Sequence, residues 1–125
     1  MLSAREMKKI AAIGAVMLAL DAAYIYVNGK IFQNMVMNIQ RVAMVFRVWG
    51  AVVCYPLLIF GLYYFIVSRG RSVWEAFLLG LVIYGVYDST NYATLKKWTP
   101  EFAIVDTLWG GILFATTTAA VEYLI

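Results

Sequence analysis

The chain has 125 residues, of which 64% are hydrophobic and 14% charged, and its net charge is +3. A soluble domain is only about 45–50% apolar even with glycine counted, so this composition indicates a small membrane protein with one transmembrane domain, residues 1–125. The absence of histidine excludes imidazole metal sites and Ser-His-Asp or Cys-His catalysis, and the single cysteine, Cys54, excludes an intramolecular disulfide. We therefore predict no metal ion and no cofactor.

The first apolar segment spans residues 10–27 and follows a basic N-terminus, as the core of a signal peptide would. It continues for 18 residues without an evident cleavage site, which predicts a retained transmembrane helix about 27 Å long. Small residues recur along it every four positions, a pattern that lets another helix approach closely but also reflects how common alanine is in membrane helices. They are Ala11, Ala15, Ala19 and Ala23.

Residues 28–41 are polar on one helical face and apolar on the other. Phe32, Met35 and Val36 recur at helical spacing, and Asn34 and Asn38 lie opposite them. This pattern predicts an amphipathic interfacial helix after the first span, or an outer extension of the second span.

Three further apolar segments cover about residues 42–67, 73–93 and 102–124. The predicted fold is therefore all-α, a polytopic membrane protein with four transmembrane helices. Only residues 68–72 join the second and third spans, which predicts that these two are antiparallel neighbours. All four tryptophans, Trp49, Trp74, Trp98 and Trp109, lie near predicted span ends, as an interfacial aromatic belt would place them.

The basic residues flank the apolar segments, which indicates contact with lipid headgroups in a bilayer and argues against nucleic acid as a partner. Four spans place both termini on one face. Its five cations are Arg5, Lys8, Lys9, Arg69 and Arg71, against Lys30, Arg41, Lys96 and Lys97 on the far face. This excess predicts cytoplasmic termini.

Polar side chains inside the spans form a layer in the far leaflet, within about 10 Å of the far ends of the spans. A charge in hydrocarbon costs at least about 2.5–3.5 kcal/mol, so four helices that carry polar groups at one level predict a shared site. Its ionisable and amide members are Asp21, Arg47, Asp88, Asn91 and Asp106, and Tyr24, Tyr84 and Tyr87 are placed to donate hydroxyls to them. We predict that these eight residues form a binding site for a ligand or ion.

This layer has three acids and one base, so at least one carboxyl group must be protonated, exposed to water or bound to a cation. Three explanations remain open. The layer binds or conducts a proton, a cation or a small polar ligand, which we favour; it is a structural network in a subunit of a homo-oligomer or larger membrane complex; or its aspartates act on lipid in a membrane enzyme. Without a nucleophile motif, the enzymatic explanation is the weakest.

Two blocks of sequence resemble a known family. One is Tyr84–Trp98, which contains Tyr-Asp-Ser-Thr-Asn from Tyr87 to Asn91, and the other is Asp106-Thr-Leu-Trp-Gly, ending at Gly110. Together with Asp21, they resemble the small four-helix integral membrane protein family known as domain of unknown function 2177. The resemblance covers essentially the whole chain and implies a membrane protein without an established biochemical activity. One departure is Ala22-Ala23, where the family is expected to carry an aromatic residue soon after the aspartate.

Overall fold

A computed structural model describes the backbone of residues 2–40 and 48–125, and the side chains within these ranges except those of residues 38–40 and 48. These ranges form four helices and contain no strand, which confirms the all-α prediction. The helices are α1 (Ala4–Gln40), α2 (Val48–Leu62), α3 (Val73–Thr94) and α4 (Pro100–Leu124), and a π-helical turn, Tyr63–Val67, continues α2.

Helix α1 has 37 residues. At a rise of 1.5 Å per residue it is about 55 Å long, well beyond the roughly 30 Å of a bilayer core. The prediction of a separate interfacial helix at residues 28–41 is therefore wrong, since residues 28–40 extend α1 without a break. No proline interrupts this stretch, and Phe32 and Met35 are held by packing against Trp98 and Phe102.

The N-terminus of α1 carries a capping box. Ser3 Oγ accepts from the Glu6 amide at 3.1 Å, and the Glu6 carboxylate accepts from the Ser3 amide at 3.0 Å. Glu6 also accepts a hydrogen bond from the Tyr63 hydroxyl at 2.9 Å, which ties the start of α1 to the end of α2. These two helices are therefore antiparallel.

Helices α3 and α4 form the most extensive helix pair within the described ranges. Their backbones meet where Gly80 faces Gly110, and a methyl group on Gly80 would overlap the Gly110 carbonyl. Phe77 packs over Gly111 in the same interface. The small residues allow a backbone approach that larger side chains would block.

The second and third spans share the buried core, with Leu62 and Ile66 of one and Ala76 of the other in one cluster, but they are not the most extensive helix pair. Within the described ranges, α2 packs mainly against α1, whereas α3 packs mainly against α4. The link between α2 and α3 is short, and it turns at Gly70, whose φ of 63° lies in the left-handed region. A short link limits the distance between two helix ends, but the glycines of α3 and α4 decide which faces pack.

The buried apolar core lies towards the end of the bundle that holds both termini. Ile13, Met17, Leu62, Leu113 and Phe114 form its centre. A smaller cluster of Met35, Trp98 and Phe102 closes the opposite end. The alanine stripe of the first span packs against neither, since all four of its residues are exposed: Ala11, Ala15, Ala19 and Ala23.

Three stretches of the described chain are long and apolar enough to cross a membrane: Ala4–Met37, Trp49–Val67 and Pro100–Leu124. Helix α3 has 22 residues and is long enough, but the run from Asp88 to Asn91 lowers its hydropathy. The fourth span therefore stays a prediction.

Candidate functional site

Asp21 is a buried carboxylate that joins three helices. It lies on α1 and is 7% exposed. Its Oδ1 accepts a hydrogen bond of 3.0 Å from Trp109 Nε1 on α4, and its Oδ2 accepts one from the Tyr55 hydroxyl on α2. Both oxygens of this carboxyl group thus accept hydrogen bonds, which satisfies polar atoms that lipid would otherwise leave without a partner.

Asp106 on α4 is buried to the same extent and is held from α1. Tyr24 donates its hydroxyl to Asp106 Oδ1 at 2.7 Å. The Tyr24 ring stacks on Trp109, with centroids 4.7 Å apart and planes within 4°. This stacked pair therefore supplies a donor to each of two carboxylates, since Trp109 also binds Asp21.

Asp88 on α3 is the most deeply buried of the three, with no exposed surface. Thr107 Oγ1 on α4 donates to its Oδ2 at 3.5 Å, and the residue before Thr107 is Asp106. The Trp98 indole lies close to it as well. Even so, neither Asp88 Oδ1 nor Trp98 Nε1 completes a hydrogen bond within the described part of the chain. Asp88 is thus an incompletely satisfied carboxyl group beside a second acid.

The three carboxyl groups of Asp21, Asp88 and Asp106 are called the polar layer below. Asp88 and Asp106 each lie six residues from the helix ends nearest Trp98, which is about 9 Å along the helix axis. These two carboxyl groups therefore lie at about the same level of the α3–α4 pair.

Other predicted site residues lie around this layer. Tyr84 is partly buried and lines the same cavity as Asp21 and Asp106. Tyr87 also lines it but is 51% exposed, with its ring edge-on to Trp98, and Asn91 lies one helical turn further along α3 and is partly buried. Arg47 lies outside the described residues.

Sequence reasoning missed both of the donors that Asp21 has within the described residues. Trp109 was assigned to an aromatic belt because it lies near a span end, although its position three residues after Asp106 places both on one helical face. Tyr55 carries no such local signal, because its contact depends on how α1 and α2 pair. Trp98 was also assigned to the belt, and it is only 4% exposed.

A cavity of about 380 Å³ opens beside the polar layer and is called the layer pocket below. Asp21 and Asp106 are its acidic members, and it follows one face of α1 as far as Phe32. Its remaining walls are mainly aromatic and aliphatic, including Phe102, Leu58, Ile83, Tyr84 and Ile25. Cys54 also lines it, and this cysteine is exposed.

A family model described as "Predicted membrane protein (DUF2177)" matches residues 6–124. The chain belongs to this family. No curated protein and no solved structure matches the chain. The matched range includes the whole polar layer and every residue of the layer pocket.

Family membership makes the bilayer the solvent for these helices, and this sets the electrostatics of the site. In hydrocarbon a carboxylate must be hydrogen-bonded, paired or protonated. Asp21 accepts hydrogen bonds from two donors. Asp106 and Asp88 each accept only one within the described residues, from Tyr24 and Thr107 respectively. Within the described residues, no three acidic or cysteine side chains converge as the ligands of a metal ion would.

Proposed function

We propose that the layer pocket binds a small monovalent organic cation that carries an apolar body. The observation that carries this proposal is the presence of two buried carboxyl groups, those of Asp21 and Asp106, in the wall of a mainly aromatic and aliphatic cavity. Opposite charge attracts strongly where the surroundings exclude water, and the apolar walls supply the remaining contact area.

The size and lining of the pocket support this ligand class. Its volume of about 380 Å³ lies at the small end of the range for small-molecule sites, about 300–1,000 Å³. The rings of Tyr24, Tyr84 and Tyr87 line it. Aromatic faces attract ammonium groups, particularly quaternary ones that carry no hydrogen-bond donor.

A structural role is the second candidate, and one observation favours it. Asp21 accepts hydrogen bonds from α2 and α4 while lying on α1, so it helps to set how three helices pack. The same contacts weigh against Asp21 as a general base that acts on lipid, because both of its oxygens already accept hydrogen bonds from the protein.

A matched pair of probes tests the proposal. Benzyltrimethylammonium and neopentylbenzene have the same shape and differ in that a quaternary nitrogen replaces a carbon. With the purified protein in nanodiscs, we expect the cation to raise the melting temperature and the neutral compound to leave it unchanged. At a ligand concentration of 100 times Kd, the stabilisation is about 2.7 kcal/mol. Equal shifts with both probes, or no shift with either, would rule out a cation site.

Asp21→Asn separates binding from structure. We expect at least a tenfold loss of affinity for benzyltrimethylammonium, about 1.4 kcal/mol, because the substitution removes a charge and keeps the volume. The control is Glu101→Gln, an exposed acid in the first turn of α4, which should bind as wild type. A variant that melts earlier but binds with unchanged affinity would favour the structural role.

We further propose that both termini face the cytoplasm, which the basic residues near them support. The test uses Cys54→Ala as background, with Ser3→Cys at the N-terminus. A membrane-impermeant maleimide should label Ser3→Cys only after the cells are opened. Labelling of intact cells would reverse the orientation.

A further inference from the structure

We propose that Asp88 and Asp106 share one proton and release it when an organic cation binds in the layer pocket. The inference rests on the proposed function, since it names the exchange by which that site takes up its ligand. It makes the site an exchanger of one proton for one cation.

The geometry of the pair supports a shared proton. Asp88 and Asp106 lie on the two helices that pack most extensively, and Thr107, the residue after Asp106, donates a 3.5 Å hydrogen bond to Asp88 Oδ2. They are 0% and 7% exposed. Two ionised carboxylates in such a place repel each other strongly, whereas one proton between them removes a charge and forms a hydrogen bond.

The two members of the pair differ in their access to the pocket. Asp106 lines the layer pocket, and Asp88 lies behind it, outside the lining. Asp88 Oδ1 has no hydrogen-bond partner within the described residues, so this oxygen is available to carry the proton. The pocket ligand therefore meets Asp106, and the proton resides on the side of Asp88.

Charge balance couples the two events. A cation beside Asp106 stabilises the doubly ionised pair by direct attraction, so the shared proton is released to the solvent. The site gains one positive charge and loses one, and its net charge is unchanged. An exchange of this kind avoids adding charge to a region that lipid solvates poorly.

Within the described residues, the other titratable groups that face the pair come from α1, α2 and α3. Asp21 is held by two donors, and the Tyr24 hydroxyl donates its proton to Asp106. Arg47, which the sequence places at this level, lies outside the described residues. The remaining titratable groups that face the layer are Cys54 and Tyr55 from α2, and Tyr84 and Tyr87 from α3.

The experiment counts protons directly. Benzyltrimethylammonium is titrated into the purified wild-type protein in two buffers that differ in ionisation enthalpy, and calorimetry gives the number of protons released per bound cation. We expect about one proton, and an affinity that rises up to ~10-fold per pH unit while the pair titrates. Neopentylbenzene serves as the neutral control.

Asp88→Asn assigns the proton to the pair. The amide keeps the side-chain volume and can donate a hydrogen bond to Asp106 in place of the shared proton. We therefore expect the cation to bind without proton release, and its affinity not to change with pH. The matched control is Glu122→Gln, an exposed acid on α4, which should release as many protons as wild type. If Asp88→Asn does not fold, the wild-type proton count and pH slope decide alone.

The outcomes separate this inference from the proposed function. Cation binding to the wild type without proton release overturns the shared proton and leaves the binding site intact. Proton release that persists in Asp88→Asn places the proton elsewhere and overturns the inference too. If the cation does not bind in preference to neopentylbenzene, both proposals fall.

Discussion

The Tyr24 hydroxyl donates a 2.7 Å hydrogen bond to Asp106, joining α1 to α4 across 82 positions of the chain. The same tyrosine ring stacks on Trp109, and Trp109 donates to Asp21. One pair of stacked rings thus orients two carboxyl groups that line the layer pocket. Since each ring supplies one donor, a change at either position should be felt by both acids.

Tyr24→Phe tests this relationship. The substitution keeps the ring that stacks on Trp109 and removes the hydroxyl, so Asp106 Oδ1 loses a donor inside the protein. We expect the free energy of unfolding to fall by about 1.5–3 kcal/mol, as for hydrogen bonds to charged groups. Denaturation in detergent, followed by circular dichroism, measures the change.

The control for this variant is Tyr26→Phe, two residues along the same helix. Tyr26 is 90% exposed, and its hydroxyl should contribute little. Equal stabilities of the two variants would show that the Tyr24 hydroxyl does not hold Asp106.

Gly80→Ala tests the close approach of α3 and α4. The added methyl group would overlap the Gly110 carbonyl and lie 2.9 Å from Phe114 Cβ, so the helices must separate. We expect a loss of about 1–3 kcal/mol or more, as for overpacked cores. Thermal unfolding in detergent gives the magnitude, and a parallel decrease in cation affinity would show that this contact positions the polar layer.

Gly61→Ala is the matched control. Gly61 lies inside α2, and a methyl group placed there meets no atom within 4 Å. Because alanine favours a helix over glycine by roughly 0.5–1 kcal/mol, this variant should be as stable as wild type or slightly more so. If both variants lost similar stability, the cause would be general to these helices and the glycine contact would not explain it.

Cys54 provides a reporter on the layer pocket, since its exposed thiol lines the cavity. We expect N-ethylmaleimide to modify it, and saturating benzyltrimethylammonium to slow the reaction several-fold by occupying the same space. Intact-mass spectrometry against time measures the rate. In the Cys54→Ala background, Ser68→Cys places a thiol in the link after α2, and its rate should not respond to the cation. Protection of both thiols would mean that the cation acts elsewhere.

The local features of this protein are readable in its sequence. Helical segments follow from apolar runs, since each residue adds 1.5 Å to a helix and a bilayer sets the length required. The shared level of Asp88 and Asp106 follows from the same arithmetic together with the antiparallel order of α3 and α4. Family membership was equally visible, in the residues around Asp88 and Asp106.

The partners of these acids were decided by tertiary structure. Tyr24 follows Asp21 by three residues, yet its hydroxyl binds Asp106 on another helix, and Asp21 is held instead by Tyr55 and Trp109. The extension of α1 through residues 28–40 likewise depends on distant packing, by Trp98 and Phe102. Helical periodicity states which residues share a face, but which faces meet depends on how closely backbones approach. In this protein the contact of Gly80 with Gly110 pairs α3 with α4, and that pairing places Asp88 beside Asp106.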